Sequence, residues 1–445
     1  MAAWVDLSHA APSIWEPDSM TYPDTYYKRT MVDLTARPSL SSSHDCDVVI
    51  VGGGLAGLST ALQLARAGKS VTVLEAESVG YGASGRNGGF VSPGYATDGD
   101  EITRIAGEEA ARSLHLLSIE GMEFIRENIR DLSIDDAQPQ PGLMSVLRYD
   151  NAASLKTYAE NTSRRYGYEL EFMDREAVRA ALKSDRYFQA LRNDNAFHMH
   201  PLNYLRAIAR EIERLGGRIC EMSAVQSVDL AGAQKRVKTA GGHVTARDVV
   251  FTTGGYTGSL NGKLKRSFLP IATYVMVSED APDLIASAIA TKDAIGDNRR
   301  AGDYYRVIDG GRRLLWGGRI TTRAASSDAL VRELRAEMVG TYPQLAGLKT
   351  EIAWSGLMSY ARHLMPQIGR MSPGVWYCTA FGGHGLNTTA IGGKVIAEGI
   401  LGETERYKLY EPFGLVWAGG LAGLAVAQLT YWKLQAQDWW RERAA

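Results

Sequence analysis

The stretch Gly52-Gly53-Gly54-Leu55-Ala56-Gly57 narrows what this chain can fold into more than any other. It follows Asp45 to Val51, a short apolar run of the kind that forms a buried parallel strand. It leads into Leu58 to Ala67, where apolar residues recur at helical spacing up to Gly68, and then into a second buried strand, Val71 to Glu75. A strand, glycine turn, helix and strand within about thirty residues make a dinucleotide-binding unit. Gly52 allows the tight turn, Gly54 lets backbone approach a pyrophosphate, and Gly57 lets helix and strand pack closely. The helix start, with Leu55 and Ala56, offers free N–H groups and the positive dipole end to phosphate. Glu75 stands where a ribose hydroxyl would donate to it.

Glu75 alone does not separate FAD from NAD, and a second glycine cluster helps to do so. Gly80-Tyr81-Gly82-Ala83-Ser84-Gly85-Arg86-Asn87-Gly88-Gly89 holds five glycines in a loop that must wrap closely around something, with Ser84, Arg86 and Asn87 as donors. A nicotinamide cofactor that dissociates seldom needs a second wrap. A third cluster, Gly383-His384-Gly385-Leu386-Asn387, lies between a buried strand and a helix and forms another helix N-terminus aimed at an anion. In a flavoprotein such donors stabilise the charge that develops at the reduced ring. His384 either faces the ring or caps the turn, and covalent attachment of the flavin through it stays open.

With 445 residues the chain exceeds one ordinary core, and two domains are expected. The FAD-binding domain is assembled from 44-100, 195-260 and 351-410, and a substrate domain from 101-194 and 261-350. Residues 1-43 read as an extended arm and 411-445 as an apolar helix. A net charge of −1 without a basic stripe excludes nucleic acid as a partner. Cys46, Cys220 and Cys378 are too scattered for a disulfide framework or a zinc site, and no metal is expected. Met1 to Asp18 carries no apolar run and is not read as a secretory signal, so the expected location is cytoplasmic. Phe413 to Trp432 is almost uncharged and close to a membrane span in length. It is read as a helix docked on the body, with peripheral membrane contact or dimerisation through 413-432 as the other readings.

Together, Val49-Ile50-Val51-Gly52-Gly53-Gly54, Glu75, Gly82 to Gly89, Thr253-Gly254-Gly255 and Gly383-His384-Gly385 resemble the D-amino-acid oxidase superfamily. Within it the chain resembles the FAD-dependent amine oxidases of the gamma-glutamylputrescine-oxidising group, to which Tyr26-Tyr27 and the aromatic C-terminal helix near Asp438 are also similar. The resemblance covers nearly the whole chain. It implies an α/β fold: a Rossmann-like FAD-binding domain of the glutathione-reductase type with an inserted α+β substrate domain on an antiparallel sheet. It also implies FAD as cofactor, with Val225 giving backbone contacts to adenine and Thr253 and Gly254 beside the dinucleotide. The implied chemistry is hydride transfer from a carbon next to nitrogen to flavin N5, imine hydrolysis, and reoxidation by dioxygen or another acceptor. The substrate is then a small amine or amino acid.

The inserted strands would roof the flavin. Tyr274, Tyr304, Tyr305 and Trp354 are candidates to cage an amine by cation–π contact. Arg306 or Arg362 could grip a carboxylate by paired hydrogen bonds. His363 stands where many relatives carry an acid, three residues before Pro366. His198 and His200 precede Pro201 and read as turn and capping residues. Three other readings stand beside this one: a dehydrogenase anchored through Phe413 to Trp432 that passes electrons to quinone, a flavin reductase fed by a pyridine nucleotide, and a flavin-binding protein without turnover.

Overall fold

The computed structural model describes residues 22–299, 302–321 and 327–444, so the first 21 residues of the expected arm lie outside it. Five parallel strands run in the order Arg218–Cys220, Val71–Leu74, His44–Val51, Gly242–Phe251, Val375–Thr379, and Gln367–Ser372 closes that edge antiparallel. His44–Val51 is central because both its faces are apolar. Val48 and Ile50 join a core with the helices Leu55–Arg66, Pro201–Arg214 and Leu386–Leu401, while Val49 and Val51 meet Val237, Val244 and Phe251 on the other side. The side-chain period of two along a strand produces this split.

The second sheet runs Thr350–Ala361, Phe268–Ser278, Arg313–Thr321, Tyr304–Ile308, Ala294–Asp297, Gln140–Val146, Ala190–His198, Phe90–Val91. It is antiparallel except where Ala294–Asp297 lies parallel to Gln140–Val146. Its chain origin corrects the boundary drawn at 351. Thr350–Ala361, expected at the head of the FAD-binding stretch 351-410, pairs along Phe268–Ser278, with Val275 opposite Trp354. Those two side chains share a buried cluster with Tyr26, Tyr27 and Leu202, and pairing the strands is what buries that face. Phe90–Val91 and Ala190–His198, at the ends of two other expected blocks, also belong to this sheet.

Two terminal segments also differ from expectation. The arm, read as extended, contains a helical turn at Tyr26–Arg29 whose N-cap Thr25 accepts from Lys28 N at 3.0 Å, and Tyr27 is wholly buried. The apolar run 413–432 is not one helix. Gly419 and Gly420 both adopt positive φ and break it, and the helix is Gly420–Ala444. Among the described residues no helix is long and apolar enough to cross a membrane.

Candidate functional site

The two sheets enclose a continuous cavity of about 2070 Å³. At one end it is walled by Glu75, Val225 and the glycine turn Gly52, Gly54, Leu55 and Ala56. It runs past Ala83, Ser84, Arg86, Asn87 and Gly88, beside Thr253 and Gly254, to Gly383, His384, Gly385, Leu386 and Asn387. The remaining expected cofactor residues, Gly57, Gly85 and Gly89, stand behind this wall, where backbone or side-chain atoms lie too close to admit a Cβ.

Helix Leu55–Arg66 begins at Gly54 and helix Leu386–Leu401 at Gly385, and neither has a side-chain cap. Both N-termini open on the cavity and leave backbone donors for an anion. Ser84 Oγ accepts from Leu55 N at 3.0 Å and so ties the second glycine loop to the first helix. Glu75 accepts from Gly53 N at 2.6 Å and Glu77 N at 3.0 Å, and burial raises its pKa against those hydrogen bonds. Its carboxyl therefore shapes the turn as well as facing the cavity.

The cavity fits FAD on an observation of its own chemistry. Arg86 is buried, faces the cavity and lies 4.4 Å over the Tyr81 ring, yet its Nε and Nη2 have no hydrogen-bond partner among the described residues. A buried guanidinium in that condition costs several kcal/mol unless an anionic group meets it. A dinucleotide cofactor brings that charge, and Arg86, the two helix N-termini and Glu75 are the residues that would hold it.

The backbone carbonyls of its loop, by contrast, are held at several points. Tyr22 Oη lies 3.0 Å from Gly80 O and 3.1 Å from Gly85 O, and the Tyr27 hydroxyl donates to Asn87 O at 2.8 Å. Trp354 Nε1 donates to Arg86 O at 2.9 Å, and Arg306 Nε donates to Gly88 O at 2.7 Å. Asn87 Nδ2 reaches Ser84 O at 2.8 Å, and Asn87 Oδ1 accepts from Gly89 N at 2.8 Å. The arm and the roof strands thus set the loop's shape before any ligand arrives.

Of the expected substrate residues, Tyr304 lines the cavity and the other six do not. Tyr305 points to the opposite face, stacked 4.2 Å from Trp316 and bonded to Tyr342 at 2.7 Å. Tyr274 is buried with Ala272 and Met276, and its neighbour Thr273 faces the cavity instead. Trp354 and Arg306 hold the glycine loop. Arg362 is exposed in a turn, and His363 accepts from Met365 N at 3.1 Å beside Phe413. The reading that Arg306 or Arg362 grips a carboxylate is therefore corrected, because neither guanidinium reaches the cavity wall. Sequence reasoning missed Tyr22, Tyr81, Phe90 and Tyr256. The positions of Tyr81 and Tyr256, inside or just after glycine motifs, were the available signal.

His198 and His200 sit behind this roof. His198 Nε2 donates to Lys292 O at 2.9 Å while Nδ1 accepts from Arg306, and His200 caps the helix Pro201–Arg214 by accepting from Asn203 N at 3.1 Å. Burial, then the nearby Arg306 charge, lowers each from 6.5 to about 3. The unfolded chain takes up these protons below about 6.5 and the folded one only near 3, so their contribution is intact above that window and drains away as pH falls through it. Between pH 7.5 and pH 5 each should cost about 2 kcal/mol of stability. Thermal melts across that range should show a steep decline that H200N, which keeps a capping oxygen, makes shallower. Equal slopes for the two proteins would contradict this assignment.

A family model described as DAO, FAD dependent oxidoreductase, matches residues 47–399. Gamma-glutamylputrescine oxidoreductase of Escherichia coli (strain K12) is 36% identical over 388 residues, covering 87% of this chain and 91% of that protein. The probable oxidoreductase OrdL of Haemophilus influenzae is 31% identical over 380 residues, covering 84% and 87%. Among solved structures, glycine oxidase from Geobacillus kaustophilus superposes with a TM-score of 0.71 at 19% identity, covering 84% of this chain and 99% of that one. A dinucleotide cradle built from both glycine loops and a buried guanidinium with two unpaired nitrogens, together with a match over most of the chain, lead to one conclusion: this protein is an enzyme of the DAO family of FAD-dependent oxidoreductases, and FAD is its cofactor.

Proposed function

We propose that this enzyme oxidises the C–N bond of a small amine, with a gamma-glutamyl amine as the favoured substrate and dioxygen as the final electron acceptor. The observation that carries this reading is the neutral chamber at the N-terminus of helix Leu386–Leu401. Tyr360 packs on Gly382 and Gly383, Tyr304 packs on Gly88 and 5.6 Å from Phe90, and His384 lies 3.4 Å from Ser92. None of these groups carries a charge. Burial pushes the Tyr360 hydroxyl up to about 12 and raises Tyr304, while it lowers His384, so all three stay neutral at working pH.

Such a chamber penalises an ammonium ion and admits the free amine, whose nitrogen lone pair is what expels a hydride from the adjacent carbon. Bound FAD supplies the two-electron acceptor for that step. The chain's residues orient the amine between Tyr304 and Tyr360 and exclude water, and the imine leaves to hydrolyse to an aldehyde and ammonia. Two electrons and two protons passed to dioxygen make hydrogen peroxide. Beyond the chamber the same cavity continues to His115, Asn161 and Arg165, which gives room for a substrate with a polar tail. The Escherichia coli relative, by its name, acts on a molecule of that shape.

The test is anaerobic bleaching of the bound flavin's visible band by a panel of alkyl amines, gamma-glutamyl amines and amino acids, followed by readmission of air. Bleaching by gamma-glutamyl amines, with recovery and peroxide, is the expected result. Bleaching without recovery in air would transfer the role of dioxygen to another acceptor, and bleaching by NADH alone would overturn amine oxidation.

A further inference from the structure

Helix Gly420–Ala444 has two unlike faces. On the inner face Glu442 pairs with Arg148 at 3.2 Å and lies 3.7 and 3.9 Å from Arg186 and Arg299, Gln428 is buried, and Leu434 lines the cavity. The outer face is apolar and aromatic. Leu421 is 77% exposed, Val426 61%, Leu429 60%, Trp439 49% and Trp440 70%, and Trp417 just before the helix continues the patch at 63%. At 100° per residue these helical positions fall on one side of the axis.

The charges divide in the same way. Of the helix's five charged residues, Glu442 is held by arginines of the body and Asp438, half-buried, falls within about 40° of it around the axis, while Lys433, Arg441 and Arg443 are exposed. Arg443 lies 3.7 Å over the Trp439 ring. The solvent side is therefore a long apolar stripe with tryptophans, three cations and no acid.

We propose that this helix lies flat on an anionic lipid bilayer, with its outer face in the headgroup boundary. Apolar side chains reach the acyl region, tryptophans suit the interface, and basic residues answer anionic headgroups. Among the described residues no helix, this one included, is long and apolar enough to cross a membrane. A second copy is a poorer occupant, because the same face on it would bring three more cations and no acid to answer these. This inference is independent of the enzyme's substrate.

The FAD-loaded full-length enzyme would be floated with vesicles of phosphatidylcholine alone and with vesicles carrying phosphatidylglycerol. Wild type is expected to float with the anionic vesicles and to be released by high salt. The pair L429E and W440E should remove flotation while flavin content and absorbance stay unchanged, and the pair K433E and R441E should weaken partitioning at least about tenfold. Wild type remaining in the aqueous fraction with both vesicle types would overturn the proposal. So would a dimer that does not float and that L429E with W440E converts to monomer, since the face would then be an interface between copies.

Discussion

Gly57→Ala should yield a protein that no longer retains FAD. A Cβ at this position would lie 2.1 Å from Gly52 O and 2.8 Å from Thr252 Oγ1. The nearest atom is backbone, so no rotamer change relieves the overlap. The helix Leu55–Arg66 must instead move away from His44–Val51. The atom in the way belongs to Gly52 of the turn itself, so the turn cannot hold its place while the helix moves. Overpacking of this kind costs about 1–3 kcal/mol or more. It also displaces the N–H groups of the first helical turn from the phosphate position, and flavin affinity should fall by an order of magnitude or more, on the scale of ~1.4 kcal/mol per tenfold. Flavin content after purification and FAD titration of the apoprotein measure this directly. G340A is the matched control: nothing lies within 4 Å of a Cβ there, in the exposed last turn of Ser327–Thr341, and it should bind FAD normally with stability unchanged or raised by about 0.5–1 kcal/mol. Full flavin content in G57A would mean that the helix does not depend on this close approach to present its N-terminus.

The same contrast marks how far the sequence was legible. The glycine clusters could be read because their geometry is local: turn, helix start and acid lie within one unit of the chain. The roof could not be read in that way. Tyr304, Tyr305 and Arg306 are neighbours in sequence, but the pleat sends Tyr304 and Arg306 toward the glycine loop and Tyr305 into the stack with Trp316 and Tyr342. Thr273 and Tyr274 divide by the same rule, with the threonine on the cavity side. Applying the period of two to the roof strands would have removed Tyr305 from the candidates. Nothing local shows that Tyr22 and Tyr27 reach across roughly sixty residues of chain to the carbonyls of Gly80, Gly85 and Asn87. That tie depends on where the arm enters the body, which only tertiary packing decides. The boundary at 351 failed for a related reason, since a strand's sheet is chosen by its partner and not by its own pattern.

Arg306→Met should cost several kcal/mol and loosen the flavin loop, though Arg306 touches no part of the cavity. Its guanidinium donates to Gly88 O at 2.7 Å, Met199 O at 2.9 Å and Tyr27 Oη at 3.1 Å, and meets His198 Nδ1 at 3.0 Å. Methionine fills the volume and supplies no donor, so four buried acceptors lose their partner together. Each unsatisfied group costs about 1–3 kcal/mol, less whatever water recovers. The charge removed has no carboxylate among these contacts, which limits the loss to about 3–5 kcal/mol. Three changes should appear together: a lower melting temperature, weaker FAD retention, and a His198 that titrates closer to its ordinary range once the adjacent cation is gone. R306K should fall between, since an ammonium keeps the charge but cannot reach four acceptors in one plane. The competing role, a clamp on a substrate carboxylate, predicts a different pattern: normal flavin content and normal melting, with a raised KM confined to acidic substrates. Steady-state kinetics on the flavin-saturated variant separate the two, because a loop-holding residue changes FAD retention for every substrate whereas a carboxylate clamp leaves the loop intact.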